Sequence, residues 1–600
     1  MHAESTSALA GAMLLSLVAV TAQLPYKALG EEPASKRMAK SVDSFALADS
    51  RGQAHNLKEL ADTKKLVVVV FLGTECPLVK LYIPRLEELA SRFATNSVAF
   101  LGIDSNQQDS SDDIAAFALR YRVTFPVLKD ADGKVADIFC ATRTPEVFVL
   151  DTKLSVKYHG RVDDQFAVGF QKAHIGRHDL SVAIEELLAG GDPSVSQTHS
   201  VGCLIGRKPK LAPQGNVTYS NQIARLLNKR CVECHRENQF APFPLASFEE
   251  VLGWADMIRE VVDQGRMPPW PAKSDRGQFA NDCRLTDAEK ALLHEWIDNG
   301  CPEGDRGDLP PPNVFIDGWR IAKPDTVVFM SDEPFVVPSD GAISYQYIEA
   351  DPHFSEDKWV TAAEVRPGNP AVVHHIILYI CAPENRTAIR APQGGFALGD
   401  RPQFGFAPGM PPRQFAPGQA LRIPARSTLV FQVHYTSVGH EEKDRSYVGF
   451  RFCRPEEVKQ RVGGLTCANT SFRIPAGDSN YEVRARHRIK KDTLLVSLFP
   501  HMHLRGKDFR FELVHPGGRR ELLLDVPQYD FSWQLWYDLA SPKLMPSGSE
   551  LHCIAHYDNS AANPSNPDPT QQVQWGEQTW EEMMLGFVTV IDPSEKPASK

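Results

Sequence analysis

The sequence predicts a multidomain chain in three parts: an α/β unit, a small all-α unit and two antiparallel β-sandwiches of jelly-roll type. Three observations predict this. Apolar strand-type runs alternate with amphipathic helical stretches over residues 41–200, helix signals alone fill residues 215–303, and short β-type runs between Pro/Gly loops occupy the remainder. A length of 600 residues exceeds one core, since about 150 residues make a typical domain. Hydrophobic residues at 42% and charged residues at 23% are ordinary for globular chains. Lys and Arg total 65 against 75 Asp and Glu, a net charge of −10, which excludes the basic footprint of a nucleic-acid partner.

The elements follow in order. Ala8 to Ala22 is an apolar run too short to span a membrane and suited to a secretory h-region, with small residues at Val20-Thr21-Ala22. Residues 1–22 therefore read as a signal peptide, although Met1 to Ser7 lacks Lys and Arg. The mature protein is expected to be exported, periplasmic or extracellular, with no transmembrane anchor. In the α/β unit, Leu66 to Gly73, Val98 to Asp104 and Glu146 to Asp151 read as strands, and Pro84 to Ala94, Ile114 to Arg122 and Leu180 to Ala189 as helices. Asn221 to Leu227, Phe248 to Asp263 and Asp287 to Asp298 are the helices of the all-α unit, the last capped by Thr286 and stopped by Gly300. Residues 304–313, within the Pro/Gly/Asp-rich Pro302 to Asn313, read as a linker. Val372 to Ile380 and Thr428 to Tyr435 belong to a first sandwich at 314–455. Thr493 to Leu498, Phe509 to Val514 and Leu585 to Val590 belong to a second at 456–595.

Three groups of residues carry chemistry. Cys231-Val-Glu-Cys234-His235 has the spacing for covalent haem, with two thioether cysteines three apart and an axial histidine next to them. A zinc knuckle would need a second ligand pair nearby, and none follows. Met267, in Gly265-Arg-Met-Pro-Pro-Trp270, is placed to be the sixth iron ligand, with His294 as competitor. Cys76 follows a strand and precedes a helix, so a helix N-terminus stabilises its thiolate. Arg143 is a candidate to assist, and Cys140 or Cys203 to resolve a sulfenic acid. The third group is histidine-rich: His374-His375, His434, and His501-Met-His503. Imidazole clusters suit zinc, copper or iron. Residues two apart in a strand face one way, so His501 and His503 can grip one metal together, whereas adjacent His374 and His375 need a bulge to converge.

These groups carry resemblances. The helical unit at 215–303, with Cys231, Cys234 and His235, resembles class I cytochromes c, whose axial methionine maps onto Met267. Cys76 with Thr144-Pro145, at the place of a cis-proline, resembles a thioredoxin-fold redoxin of the peroxiredoxin and thiol-oxidoreductase superfamily. The position three after Cys76 is Val79, so there is no CxxC disulfide, and Thr74 stands two before the cysteine where peroxiredoxins place a Thr three before. His374-His375, His434, His501-x-His503 and Glu581-Glu582-Met583 resemble, in that order, the copper type II, ascorbate-dependent monooxygenases. That family includes peptidylglycine α-hydroxylating monooxygenase and dopamine β-monooxygenase. The resemblance implies one copper on His374, His375 and His434 and another on His501, His503 and Met583, with Met584 as an alternative ligand. It also implies a disulfide position at Cys381, with Cys453 or Cys467 as partner, and leaves Cys553 without its family partner.

The resulting expectation is an exported oxidoreductase with two copper ions and a covalently attached haem c. It hydroxylates a small-molecule or peptide substrate with O2, drawing electrons from haem, ascorbate or a redox partner protein. The alternatives are an electron-transfer or copper-binding protein without hydroxylase activity, and a thiol-dependent peroxidase.

Overall fold

In the computed structural model, which describes residues 40–594 except 168–169, 173–174, 210, 238, 240, 316–317, 340–342, 386–401 and 439, Leu66–Leu72 is the middle strand of a five-stranded sheet. The expected signal peptide lies outside the described residues. All seven residues of the strand are buried, as a strand covered on both faces requires. It runs parallel to Val98–Asp104 and antiparallel to Glu146–Leu150. The helix after it spans Pro77–Phe93, seven residues longer at its start than the expected Pro84 to Ala94. Pro84 was a misleading start signal. It sits inside the helix, where burial of Leu78, Val79, Tyr82, Ile83 and Leu86 outweighs the missing backbone hydrogen bond. Helices Ser111–Tyr121 and Asp179–Leu188 lie within a residue or a few of expectation, the first closed by a Ser110/Asp113 capping box.

Residues 219–298 hold Tyr219–Ile223 running into Ala224–Arg230, then Phe248–Leu252, Ala255–Asp263 and Asp287–Asp298. The expected single helix Phe248 to Asp263 is thus two helices. The break falls at Gly253, where a Cβ would stand 2.3 Å from the Gln108 side chain, so close packing against the α/β unit takes precedence over helix continuity. Asp287–Asp298 has the expected bounds, with a Thr286/Glu289 capping box at its start and Gly300 at φ 76° beyond its end. The helices and the α/β sheet share one apolar core, in which Leu86, Ile184, Leu227, Trp254 and Trp296 all take part. The expected linker is pinned rather than free: Pro302 accepts from Tyr219 N–H (2.9 Å) and Trp296 Nε1–H (3.1 Å), and Asn313 donates to Asn228 (2.8 Å).

Beyond it the chain is β throughout. Val373–Cys381 and Thr428–Tyr435 pair within a four-stranded sheet, and Gly506–Val514 and Glu550–Tyr557 within another. Facing both is a nine-stranded sheet that crosses the 455/456 position, joined by the parallel pair Gln419–Ile423 and Gln460–Ala468. The two sandwiches thereby share a wall. Segment 270–281 leaves the helices and docks into the second sandwich, where Trp270 and Phe279 enter the core and Ala280 N–H donates to Asp538 (2.7 Å). Among the described residues no helix is long and apolar enough to cross a membrane.

Candidate functional site

The first histidine group is assembled by a register fault. Val373 faces Tyr435 and His375 faces His434, so His374 is an extra residue with no partner across the strand pair. That bulge turns His374 onto the side of its neighbour, which plain alternation forbids. One ligand nitrogen from each of His374, His375 and His434 lies within 4.8 Å of the others. His374 Nδ1 and His375 Nδ1 are 3.1 Å apart, and the buried His434 Nδ1 has no hydrogen-bond partner among the described residues. A buried ring nitrogen without a partner costs about 1–3 kcal/mol unless something else satisfies it. Burial holds His374 down to about 4 and His375 and His434 well below the usual imidazole range, so all three are neutral donors at pH 7. The donor set fits a borderline or soft metal cation.

The second group forms where strand Thr493–His501 ends. His503 lies beyond the strand, contrary to the expected strand geometry, yet its ring is 5.3 Å from that of His501 while Met502 between them enters the core. His501 Nδ1–H donates to Gln534 Oε1 (2.7 Å), and the Gln534 amide is oriented by its own donation to the Phe531 carbonyl (3.3 Å). His503 Nδ1–H donates to the Glu581 carbonyl (3.2 Å). Both rings therefore present Nε2 as the free lone pair, the tautomer control that metal-ligating histidines receive from outer partners. Burial lowers His501 to about 4 and His503 to about 3. Glu582 is fully buried and accepts from the His503 and Arg505 backbone N–H groups at 2.9 and 2.7 Å, fixing the chain after His501.

Met583 is partly buried and packs on the aromatic cluster of Phe499, Trp536 and Phe587, and the rings of Phe499 and Phe587 lie against His501. Met584 is fully buried in the core of the second sandwich. Met583 is thus the less buried of the two thioether side chains. One phenyl ring, Phe531, separates the two groups, stacked on His374 at 5.3 Å and edge-on to His503 at 5.9 Å. The Cys553 thiol hydrogen-bonds Cys467 in the second core.

Cys231 and Cys234 form the turn after helix Ala224–Arg230. His235 Nδ1–H donates to the Phe243 carbonyl (3.0 Å), leaving Nε2 free. Burial pushes Cys231 up to about 12 and Cys234 to about 11. Met267 follows helix Ala255–Asp263, and its loop meets the cysteines through Cys283, whose thiol donates to the Pro269 carbonyl (3.3 Å) and lies near Cys231 and Cys234. His294 Nε2 lies 2.8 Å from a carboxylate oxygen of Asp263 on the neighbouring helix Ala255–Asp263.

Cys76 is the N-cap of Pro77–Phe93, and its thiol donates to the Thr144 carbonyl (3.1 Å), beside the cis Thr144–Pro145 peptide. Strand Cys203–Leu204 pairs with Arg143–Thr144, placing Cys203 opposite Thr144 and in hydrogen-bond contact with Cys76. Burial opposes the Cys76 thiolate. Hydrogen bonds from Cys203, Thr144 and the Val79 N–H outweigh it and bring the thiol down to about 6, while Cys203 is driven well up by its bond to Cys76. Arg143 bonds to Glu260 (2.8 Å) and the Gly202 carbonyl (2.9 Å). Its charge and that of Arg266 bear on Cys203. Cys140 is exposed, with its thiol directed to the Asp137 carbonyl. Sequence reasoning missed Gln534, Phe531 and Arg266; only the Glu581-Glu582-Met583 run hinted at the supporting carboxylate.

Comparison with known proteins reaches the α/β unit. The chain is 27% identical over 146 residues to the thioredoxin-like protein YneN of Bacillus subtilis (strain 168), covering 24% of this chain and 84% of that protein. It is 26% identical over 146 residues to the thiol-disulfide oxidoreductase ResA of Geobacillus kaustophilus (strain HTA426), covering 24% and 82%. A solved structure of a hypothetical protein from Sinorhizobium meliloti 1021 is 29% identical, with a TM-score of 0.26, covering 29% of this chain and 96% of that one. Residues 38–159 match the AhpC/TSA family, and with the sheet, the helix-start cysteine and the cis-proline in place this part of the chain is a thioredoxin-like redoxin domain.

Proposed function

We propose that the β-rich half is a copper-dependent monooxygenase that hydroxylates an organic substrate with O2, and that electrons enter through a c-type haem held by Cys231, Cys234, His235 and Met267. The observation that carries the reading is the convergence of His374, His375 and His434 nitrogens within 4.8 Å, with His434 Nδ1 buried and without a partner among the described residues. Supporting it is the second set nearby, two histidines with preset tautomers and the thioether of Met583. Copper bound at such sites supplies one-electron chemistry toward O2, and a thioether ligand favours its reduced form.

The chain's own residues do the remaining work. Gln534 and the Glu581 carbonyl hold the protons of His501 and His503 on Nδ1. Glu582 ties the loop to the backbone of His503 and Arg505, and Phe531 packs between the two groups. His235 is oriented for iron by Phe243. Docking of 270–281 into the second sandwich brings the haem-binding segment against the copper-binding half, which favours electron delivery within one chain. Export fits covalent haem attachment, and the substrate is a small molecule or peptide, with ascorbate or a redox protein as outside reductant.

Full-length protein expressed with a haem-attachment system and loaded with copper is expected to consume O2 when given ascorbate, and to stop after His501→Ala. Metal uptake with no reductant-driven O2 consumption would assign an electron-transfer or copper-binding role instead.

A further inference from the structure

The Cys76–Cys203 contact lies outside the proposed copper and haem chemistry. Its geometry has three independent parts. Cys76 caps a 17-residue helix, where N–H groups favour sulfur as an anion. Cys203 arrives from a strand beyond the redoxin sheet and sits across from Thr144, whose carbonyl accepts from the Cys76 thiol. Both are free thiols, 1% and 9% exposed, with the helix Ala255–Asp263 laid over them. Leu204 N–H meets Met257 Sδ at 3.5 Å, and Arg143 and Arg266 both clasp Glu260, at 2.8 and 2.7 Å. Val79 occupies the place where a CxxC motif would carry its second cysteine, so Cys203 supplies the partner from a distant part of the chain.

We propose that Cys76 and Cys203 form a reversible dithiol/disulfide couple that exchanges two electrons with a low-molecular-weight thiol–disulfide pair. In the oxidising direction the Cys76 thiolate attacks one sulfur of a small disulfide RSSR, giving Cys76–S–S–R and releasing RS⁻. Cys203 then loses its proton and attacks the Cys76 sulfur, expelling the second RS⁻. The products are the Cys76–Cys203 disulfide and two RS⁻, which take up the protons released by Cys76 and Cys203; in reverse, two RSH reduce the Cys76–Cys203 disulfide to the dithiol and are oxidised to RSSR. The overlying helix excludes a folded protein disulfide, which is why the reactant is small.

The test equilibrates the full-length protein in buffers of stepped reduced to oxidised glutathione, blocks free thiols by alkylation and maps peptides by mass spectrometry. Cys76 and Cys203 are expected to pass together from alkylated to cross-linked in one two-electron transition. Cys203→Ser is expected to trap glutathione on Cys76, and Cys140→Ser to titrate as the wild type. The wild-type map stands alone if the Cys203 variant does not fold. A Cys76–Cys140 link, or both thiols alkylated throughout, overturns the pairing. Exchange with the disulfides of insulin but not with glutathione overturns the small-molecule class.

Discussion

His375 stands directly across the strand pair from His434, their ring centroids 5.0 Å apart, and the bulge in which His374 is the inserted residue swings that ring onto the same side. A three-nitrogen site thus depends on one bulge. Deleting Ala371, ahead of the bulge, shifts the register feeding Val373 and is expected to abolish metal binding by this group. His434→Ala is the milder change, expected to remove this metal alone, and metal-dependent thermal stabilisation would fall to the share of the other site. Metal analysis after dialysis, run beside thermal melts, reads both.

The two methionines differ in burial. Met584 is fully buried in the second core, so Met584→Ala is expected to destabilise the chain by about 2–5 kcal/mol, the usual cost of truncating a core methionine. Met583→Ala is expected to cost less stability and to weaken Cu(I) binding instead. Chemical denaturation and competition with a Cu(I) chelator give the two readings, and equal stability losses in both variants would contradict the assignment.

Gln534 fixes the His501 tautomer through its 2.7 Å hydrogen bond. Replacing it with Leu leaves Nδ1–H unpartnered and frees the ring to turn. Loss of such an outer partner typically lowers metal affinity about 10–100-fold. The expectation is a loss of that size at the His501/His503/Met583 site with the other site unchanged, followed by equilibrium dialysis against copper.

The Cys76 thiol, at about 6 in the folded chain, titrates near 8.5 when unfolded. A depressed acid stabilises the fold above its unfolded value, and that contribution fades as pH falls through about 6. Alkylation of Cys76 in the reduced protein is expected to rise with a midpoint near that folded value, whereas a midpoint above 8 would show that its contacts do not favour the thiolate. Peptide mapping at each pH separates it from the exposed Cys140.

Much of this arrangement was legible in residue spacing. Thr428–Tyr435 and Asp287–Asp298 have the bounds that alternation and capping predict, because Thr286/Glu289 and the Val/Phe-rich strand carry local signals that agree with the fold. Pro84 and Gly253 misled for the opposite reason: one is overridden by burial, the other answers to Gln108 in a different unit. The histidine groups were visible as motifs. Their supports were not, since Gln534 and Phe531 are single polar and aromatic residues whose role exists only once the second sandwich folds. Cys203 could be named as a candidate but not chosen over Cys140, because the choice depends on a two-residue strand pairing with Arg143–Thr144.

Copper stoichiometry is the most direct test of the two-site centre. Full-length protein is loaded anaerobically with Cu(I), dialysed against a weak chelator, and assayed for copper per chain in the wild type, His434→Ala, His501→Ala and the double variant. The account predicts two copper ions, then one, one and none. Retention of one ion or fewer by the wild type, or counts unmoved by either histidine, would contradict it.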